Sequence, residues 1–142
     1  MKKILIINAN YYEDISKRLF SSTSKELKKH NIKLKRIDVP GVFEIPFTLR
    51  KYIKKFDAFV VIGCVIKGQT PHFELITSST FDALIRISVD FNKPITNGII
   101  TCLNKKQAIE RSSIKDNSSK NNKGYEAAKA VINLLKNEPK NS

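Results

Sequence analysis

The residues most able to do chemistry in this chain stand in the run Gly68-Gln69-Thr70-Pro71-His72. A Thr–Pro pair predicts a helix start, with Thr70 as the cap and Pro71 as the first helical residue. Unpaired N–H groups and the positive dipole end at such a start favour an anion such as a phosphate. Gly68 lets the backbone come close to a ligand. His72 falls in the first turn, beside that anion, where an imidazole moves protons near neutral pH. Taken alone, the same run also reads as a capped loop with a surface histidine.

Other positions carry two readings each. Tyr11 could stack on a planar ring or be a surface aromatic. Glu44 sits with Phe43 at a helix start, where a carboxylate by itself complements the dipole. Arg111 could grip a phosphate through two parallel hydrogen bonds or cap the last carbonyls of a helix. His30 lies at a helix end among lysines and reads as structural. Cys64 and Cys102 each sit inside an apolar, strand-like run and read as reduced, buried thiols. Neither has metal-ligand spacing around it. The chain holds no Ser/His/Asp order, no G-x-G-x-x-G, no Walker loop and no carboxylate pair at catalytic spacing.

The elements that must position these residues alternate. An apolar run over 3–8 predicts a buried strand. Ile15, Leu19, Phe20 and Leu27 predict a helix over 15–30 with a lysine-rich outer face, ended near Asn31. Ile32, Leu34 and Ile37 alternate with Lys and Arg, so the strand 32–39 belongs near an edge. Pro40-Gly41 predicts a turn. Pro46 fits only a first helical turn, which starts the next helix near 43–45 and carries it to 55. The most apolar run, 58–66, predicts the central strand. A helix over 72–91 follows, then a strand over 95–103 interrupted at Asn97-Gly98. After these come a short helix over 105–112, a polar loop over 116–123 and an amphipathic helix over 124–136. The tail 137–142 should fray.

Strands separated by helices pair in parallel through right-handed crossovers. The expectation is therefore one domain over 1–142, α/β in class: a three-layer α/β/α sandwich on a four-stranded parallel sheet, flavodoxin-like. Ligands in such sheets bind outside the carboxyl ends of the strands. The segments expected there are 8–12, 40–44, 65–72 and 97–101. That outline serves many functions and does not by itself decide one.

Length and composition exclude some classes. The chain has 142 residues, 41% of them hydrophobic, enough to bury a core. No apolar run approaches the roughly 18 residues of a membrane span. The run at Ile4 to Ile7 is too short for a signal-peptide core, so the chain is expected in the cytoplasm, with no membrane partner. The net charge of +13 invites polyanion binding. Yet the excess is lysine spread over helix faces (Lys25, Lys28, Lys29, Lys51, Lys54, Lys55), without interleaved aromatics. A solvated surface fits that pattern better than a nucleic-acid platform.

Several linked motifs resemble one family. Val39-Pro40-Gly41-Val42-Phe43-Glu44-Ile45-Pro46, Gly63-Cys64-Val65-Ile66-Lys67-Gly68-Gln69-Thr70-Pro71-His72, and Asn97-Gly98-Ile99-Ile100-Thr101 followed by Gln107-Ala108-Ile109-Glu110-Arg111 look like the signature of 6,7-dimethyl-8-ribityllumazine synthase. Lys123-Gly124 before the Glu126-Ala127-Ala128 helix also fits. The similarity runs from about Lys3 to Leu135. It implies the penultimate step of riboflavin biosynthesis: 5-amino-6-(D-ribitylamino)uracil condenses with 3,4-dihydroxy-2-butanone 4-phosphate, releasing phosphate and water. The resemblance implies no metal and no organic cofactor.

It also implies roles. Tyr11 matches the aromatic that stacks on the pyrimidine, where Phe or Trp is commoner. Phe43 and Glu44 match the pair holding the ribityl chain, and Val42 before them is expected among the substrate-binding residues. Cys64, Val65 and Ile66 match the strand end that recognises the pyrimidine. Gln69 and Thr70 match the phosphate loop, His72 the proton-transfer residue and Arg111 the phosphate-binding arginine. Asn97 falls near the pyrimidine, and Lys123 matches a lysine near the site. Sites in the family form between adjacent subunits.

Two departures bear on assembly. The loop 116–122 is longer than the compact turn of capsid-forming members, and the chain begins directly at its first strand. Both resemble members that stop at pentamers, so a homopentamer is expected rather than a sixty-subunit shell. The longer loop also blurs the match at Lys115 and Lys123. Two other readings are a non-catalytic flavin- or nucleotide-binding module and a basic RNA- or DNA-binding protein. An acid–base histidine is superfluous to the first, and dispersed lysines count against the second.

Overall fold

The computed structural model describes residues 1–115 and 121–142. Four strands, β1 (Lys2–Ala9), β2 (Ile32–Val39), β3 (Ala58–Ile66) and β4 (Ile95–Cys102), form one parallel sheet in the order β2-β1-β3-β4. The helices are α1 (Glu13–Leu27), α2 (Ile45–Tyr52), α3 (His72–Phe91), α4 (Lys105–Arg111) and α5 (Lys123–Lys136). A 3-10 turn, Val42–Glu44, leads into α2. Residues 137–142 carry neither helix nor strand. Among the described residues, no helix is long and apolar enough to cross a membrane.

The period of two along each strand builds two cores. Ile4, Ile6, Val60, Ile62, Cys64, Ile100 and Cys102 face α1, α4 and α5. Leu5, Ile7, Phe59, Val61, Val65 and Ile99 face α2 and α3. β3 is central and buried along almost its whole length, whereas the edge strand β2 alternates between half-buried and exposed. This is the three-layer α/β/α arrangement, and both strand placements match the apolar patterning.

Several boundaries differ from the sequence expectation. α1 begins at Glu13 rather than 15, so Glu13 and Asp14 lie in its first turn and complement the dipole. It ends at Leu27; the chain then turns through His30 N–H donating to the Leu27 carbonyl. The helix expected over 43–55 splits into the 3-10 turn and α2, which ends at Tyr52. α4 closes at Arg111 and α5 opens one residue early, at Lys123. β4 stops at Cys102.

β4 is also uninterrupted at Asn97-Gly98, where the sequence suggested a break: Asn97 pairs with Val61 and Gly98 with Ile62 in an even register. Gly98 is a packing residue there. A Cβ on it would lie 2.7 Å from the Ile62 side chain, 3.0 Å from the Val61 carbonyl and 3.3 Å from Ala127 on α5. Thr96 Oγ1 donates to the Ala127 carbonyl at 2.8 Å and holds α5 against the same strand.

Candidate active site

Three of the four segments expected at the carboxyl edge of the sheet arrive there together. They enclose a cleft of about 310 Å³, lined by Tyr11, Tyr12, Gly41, Val42, Phe43, Cys64, Val65, Ile66, His72 and Ile76. That volume falls at the lower end of small-molecule sites. The floor is the end of β3. The walls are the loop after β1, the 3-10 turn and the first turns of α3.

Close packing brings the walls together. A Cβ on Gly63 would stand 3.0 Å from Ala9 Cβ and 3.0 Å from Val42 Cγ1, so glycine lets the 3-10 turn sit directly on the sheet. Val42 is buried by that contact while Phe43 stays 74% exposed. Glu44 folds toward Gly41, its Oε1 3.5 Å from where a Gly41 Cβ would be, and its carbonyl accepts from Thr48 Oγ1 at 2.8 Å.

α3 starts differently from expectation. Thr70 is not the N-cap: the cap residue is Pro71, and no side chain caps the helix. Thr70 Oγ1 lies 3.5 Å from the His72 N–H, a long contact. Pro71 has φ −70° and ψ 6°, short of helical, and its carbonyl accepts the first helical bond from Leu75 N–H at 3.2 Å. The uncapped N–H groups of this turn are therefore left for solvent or a ligand. Gln69, Thr70 and His72 are all exposed, and His72 lines the cleft.

Cys64 lines the cleft, with the Cys102 thiol as its neighbour. Burial pushes the Cys64 thiol up to about 12, with neighbouring Cys102 adding to the rise and Lys105 opposing it. It stays protonated at neutral pH and is no nucleophile.

Asn97, Arg111 and Lys123 are not in this cleft. Asn97 stands third in β4, not beyond the strand's carboxyl end, so the segment 97–101 is strand and not a loop. It lines a separate groove with Phe81, Leu84, Ile85, Ser88, Val89 and Ile95. Its Oδ1 accepts from Ile99 N–H at 2.9 Å. Arg111 and Lys123 line a cavity of about 360 Å³ with Ile99, Ile100, Thr101, Asn121 and Glu126. One Arg111 Nη donates to Gln107 Oε1 at 3.4 Å and lies 3.9 Å from Cys102 Sγ. The rest of the guanidinium's donor fork stays available to an anion.

Lys123 is placed by its neighbour Asn122, which is fully buried. Asn122 Oδ1 accepts from Gly124 and Tyr125 N–H at 2.8 and 3.2 Å and caps α5. Its Nδ2 donates to the Ser113 and Arg18 carbonyls. Most of the polar loop expected before Lys123, residues 116–120, lies outside the described residues.

Two further lining residues carry signals readable in the sequence. Ile76 stands one helical turn past His72, and Tyr12 directly follows Tyr11. The burial of Asn122 had none, because a single Asn in a polar stretch looks like every other loop residue.

With this geometry in hand, similarity to known proteins is specific. The family model described as 6,7-dimethyl-8-ribityllumazine synthase matches residues 1–138. A protein of that name from Campylobacter jejuni subsp. jejuni serotype O:23/36 (strain 81-176) is 40% identical over 138 residues, covering 94% of this chain and 87% of that protein. Proteins of the same name from Campylobacter fetus subsp. fetus (strain 82-40) and from Campylobacter hominis are 36% and 37% identical over 139 residues, each covering 94% of this chain and 86% of the relative. A match spanning the whole sheet and both cavities settles membership: this chain belongs to the 6,7-dimethyl-8-ribityllumazine synthase family.

Proposed function

We propose that the chain condenses 5-amino-6-(D-ribitylamino)uracil with 3,4-dihydroxy-2-butanone 4-phosphate to give 6,7-dimethyl-8-ribityllumazine, in active sites that two copies complete together. One observation carries the shared site. The aromatic cleft with its imidazole and the cavity with its guanidinium are separate on one chain, yet the reaction needs both groups around one pair of substrates.

In this reading the pyrimidine lies on the β3 end, against Cys64, Val65 and Ile66, with Tyr11 as its ring wall. Val42, Phe43 and Glu44 hold the ribityl chain. The uncapped start of α3, with Gln69 and Thr70, receives the phosphate of the second substrate. Arg111 of the adjacent copy grips that phosphate, with Lys123 beside it, and Asn97 of that copy lies near the pyrimidine.

The amine attacks the ketone and loses water to form an imine. Phosphate then leaves, and the ribitylamino nitrogen closes the ring with loss of a second water. Negative charge accumulates on the departing phosphate, and a fixed guanidinium with aligned N–H groups meets it without reorganising. The remaining work is proton transfer, which His72 performs from the first turn of α3. No strong nucleophile is needed, in keeping with the protonated Cys64. Holding two substrates in contact supplies much of the acceleration.

Exposed apolar side chains support assembly. Leu75, Ile85 and Val89 are 65%, 67% and 73% exposed and share one outward face of α3. Phe43 and Phe47, each 74% exposed, extend the apolar surface around the cleft mouth. Side chains of this size left in water on a helix mark a protein interface. We read residues 1–142 as one catalytic unit that works in the cytoplasm as a homopentamer. Native mass spectrometry checks the assembly: five times 16.1 kDa is expected, and a sixty-subunit particle would overturn the pentamer.

Mixing the two substrates with the purified protein tests the reaction, with lumazine fluorescence and phosphate release as readouts. His72→Ala should lower kcat by about a hundredfold or more with the fold intact; an unchanged rate removes His72 from the mechanism. A complementation experiment tests the shared site. His72→Ala and Arg111→Ala chains, each impaired alone, should recover roughly a quarter of wild-type activity when co-expressed, because some contacts then join two intact halves. No recovery in verified mixed oligomers would place both residues in one chain's site.

A further inference from the structure

We infer that Lys105 is a positioning residue for the aromatic wall of the cleft: its ammonium holds Tyr12, and through it Tyr11, against the place where the pyrimidine ring binds. The inference rests on the reaction proposed above.

Tyr11 is 75% exposed on the loop leaving β1, so the sheet does not fix its ring. An exposed aromatic samples several rotamers within nanoseconds and makes a poor stacking wall unless something holds it. The first hold is Tyr12. The two rings meet edge to face, centroids 5.0 Å apart and planes at 79°. Tyr12 packs its inner side on the core beneath α1.

The second hold is Lys105, the first residue of α4. Its Nζ lies 5.3 Å from the Tyr12 ring centroid, inside the range where a cation is drawn to an aromatic face. The same Nζ is 3.2 Å from Asp14 Oδ1, in the first turn of α1. Ring and carboxylate both flank the loop that carries Tyr11, so one ammonium ties that loop to α4 at two points. Partial burial raises the Asp14 carboxyl, but the hydrogen bonds from Lys105 and the Ile15 N–H, with the charges of Lys105 and Arg18, outweigh it and hold the carboxyl low. The partner is therefore ionised wherever the enzyme works. The Lys105 charge also opposes the rise of the Cys64 thiol, which lines the cleft.

The sequence around Lys105 suggests nothing of this. It stands among other lysines on a short helix and looks like one more solvated charge. Its half-exposed pair with Asp14 adds little to fold stability. Its value lies in restricting a ring that would otherwise be ordered only when substrate arrives, a cost then charged to affinity.

Three variants separate the possibilities. Lys105→Met keeps the stem and removes the charge, Lys105→Arg keeps both contacts, and Lys106→Met makes the same charge change at an exposed neighbour on α4. For each, kcat, the KM of both substrates, the Kd of 5-amino-6-(D-ribitylamino)uracil and the Tm are measured. Lys105→Met should raise the pyrimidine Kd and KM about threefold to fivefold, with the butanone phosphate KM and the Tm nearly unmoved. Lys105→Arg should restore wild-type affinity, and Lys106→Met should match wild type. Added salt should weaken wild-type pyrimidine binding toward that of Lys105→Met and leave the variant flat. An unchanged pyrimidine affinity in Lys105→Met overturns the inference. So does a joint loss of Tm and both affinities that Arg does not rescue, which makes Lys105 a fold pin only. A wild type that forms no lumazine overturns the reaction itself, a result distinct from a wild type and Lys105→Met that form it equally well.

Discussion

Replacing Gly63 by alanine is a sharp test of how the fold holds the cleft. The added Cβ lies 3.0 Å from Ala9 Cβ and 3.0 Å from Val42 Cγ1, whereas unstrained carbon contacts sit at roughly 3.5–4.0 Å. Something must move by about half an ångström. Ala9 ends β1, which is hydrogen-bonded between β2 and β3, so it gives little. Val42 lies in a short 3-10 turn at the cleft edge and gives more. Overpacking costs about 1–3 kcal/mol. Gly63 has no positive φ, so the lower chain entropy of alanine in the unfolded state returns about 0.4–1 kcal/mol. The net is a loss of about 1 kcal/mol, or a fall in Tm of about 2–4 °C.

The larger effect is expected in catalysis, because Phe43 and Glu44 move with Val42. Misplacement by about 1 Å can cost a hundredfold, so a half-ångström shift should lower kcat/KM for the ribityl substrate roughly tenfold. Thermal unfolding at fixed protomer concentration and steady-state lumazine formation measure both effects. An unchanged or raised Tm with unchanged kinetics would refute the claim that the Gly63–Val42 contact sets the height of the turn. Wild-type Tm with impaired kinetics would refute the overpacking arithmetic alone.

Other outcomes follow from the same geometry. Gly68→Ala meets nothing within 4 Å, so stability should hold while the KM for butanone phosphate rises; an unchanged KM removes the backbone approach at Gly68. Asn122→Ala should cost about 1–3 kcal/mol in thermal unfolding, since it removes a buried cap and leaves carbonyls short of a donor; a loss near zero would show that water replaces the amide. Cys64 is raised from its ordinary 9.0 to about 12, so the folded chain binds that proton more tightly than the unfolded one. Its contribution to stability is complete below pH 9 and lost as pH climbs from there toward 12. Wild type should therefore lose Tm faster than Cys64→Ala over that window, and parallel curves would contradict the burial of the thiol.

How far the sequence spoke depends on whether the cause of a feature is local. The central and edge places followed from patterning: β3 is apolar throughout because helices cover both its faces, and β2 alternates because it lies at an edge. Punctuation misled where packing overrode it. Asn97-Gly98 carries a turn signal, yet Gly98 is there to admit Ile62 and Ala127, and the strand runs through. Thr70-Pro71 carries a cap signal, but Pro71 takes the cap position itself and the Thr70 hydroxyl is left at the edge of hydrogen-bond range. The cleft residues were legible because they follow strand ends. The role of Lys105 was not, since a contact between α4 and the β1–α1 loop leaves no trace in either segment read singly.

The separation of the two cavities has a physical consequence for the isolated chain. A cleft with stacking aromatics and an imidazole can hold the pyrimidine and move protons. Without a guanidinium across from it, the proposed phosphate site has only the uncapped N–H groups of α3 with Gln69 and Thr70. The Arg111 cavity has the opposite deficit: it offers a guanidinium and an ammonium to an anion and no imidazole beside them. Each half lowers the energy of only one part of the transition state, and neither half's binding energy is usable by the other until a second chain brings them into register. In the proposed shared site, catalysis is a property of the contact between chains. On the proposed reading the apolar face of α3 joins the chains, and it then acts on turnover as strongly as on assembly. Charging it with Val89→Lys should dissociate the oligomer and abolish lumazine formation at low protein concentration. Inorganic phosphate should still bind weakly at the Arg111 cavity of the separated chain. A dissociated chain with full activity would refute the division of labour.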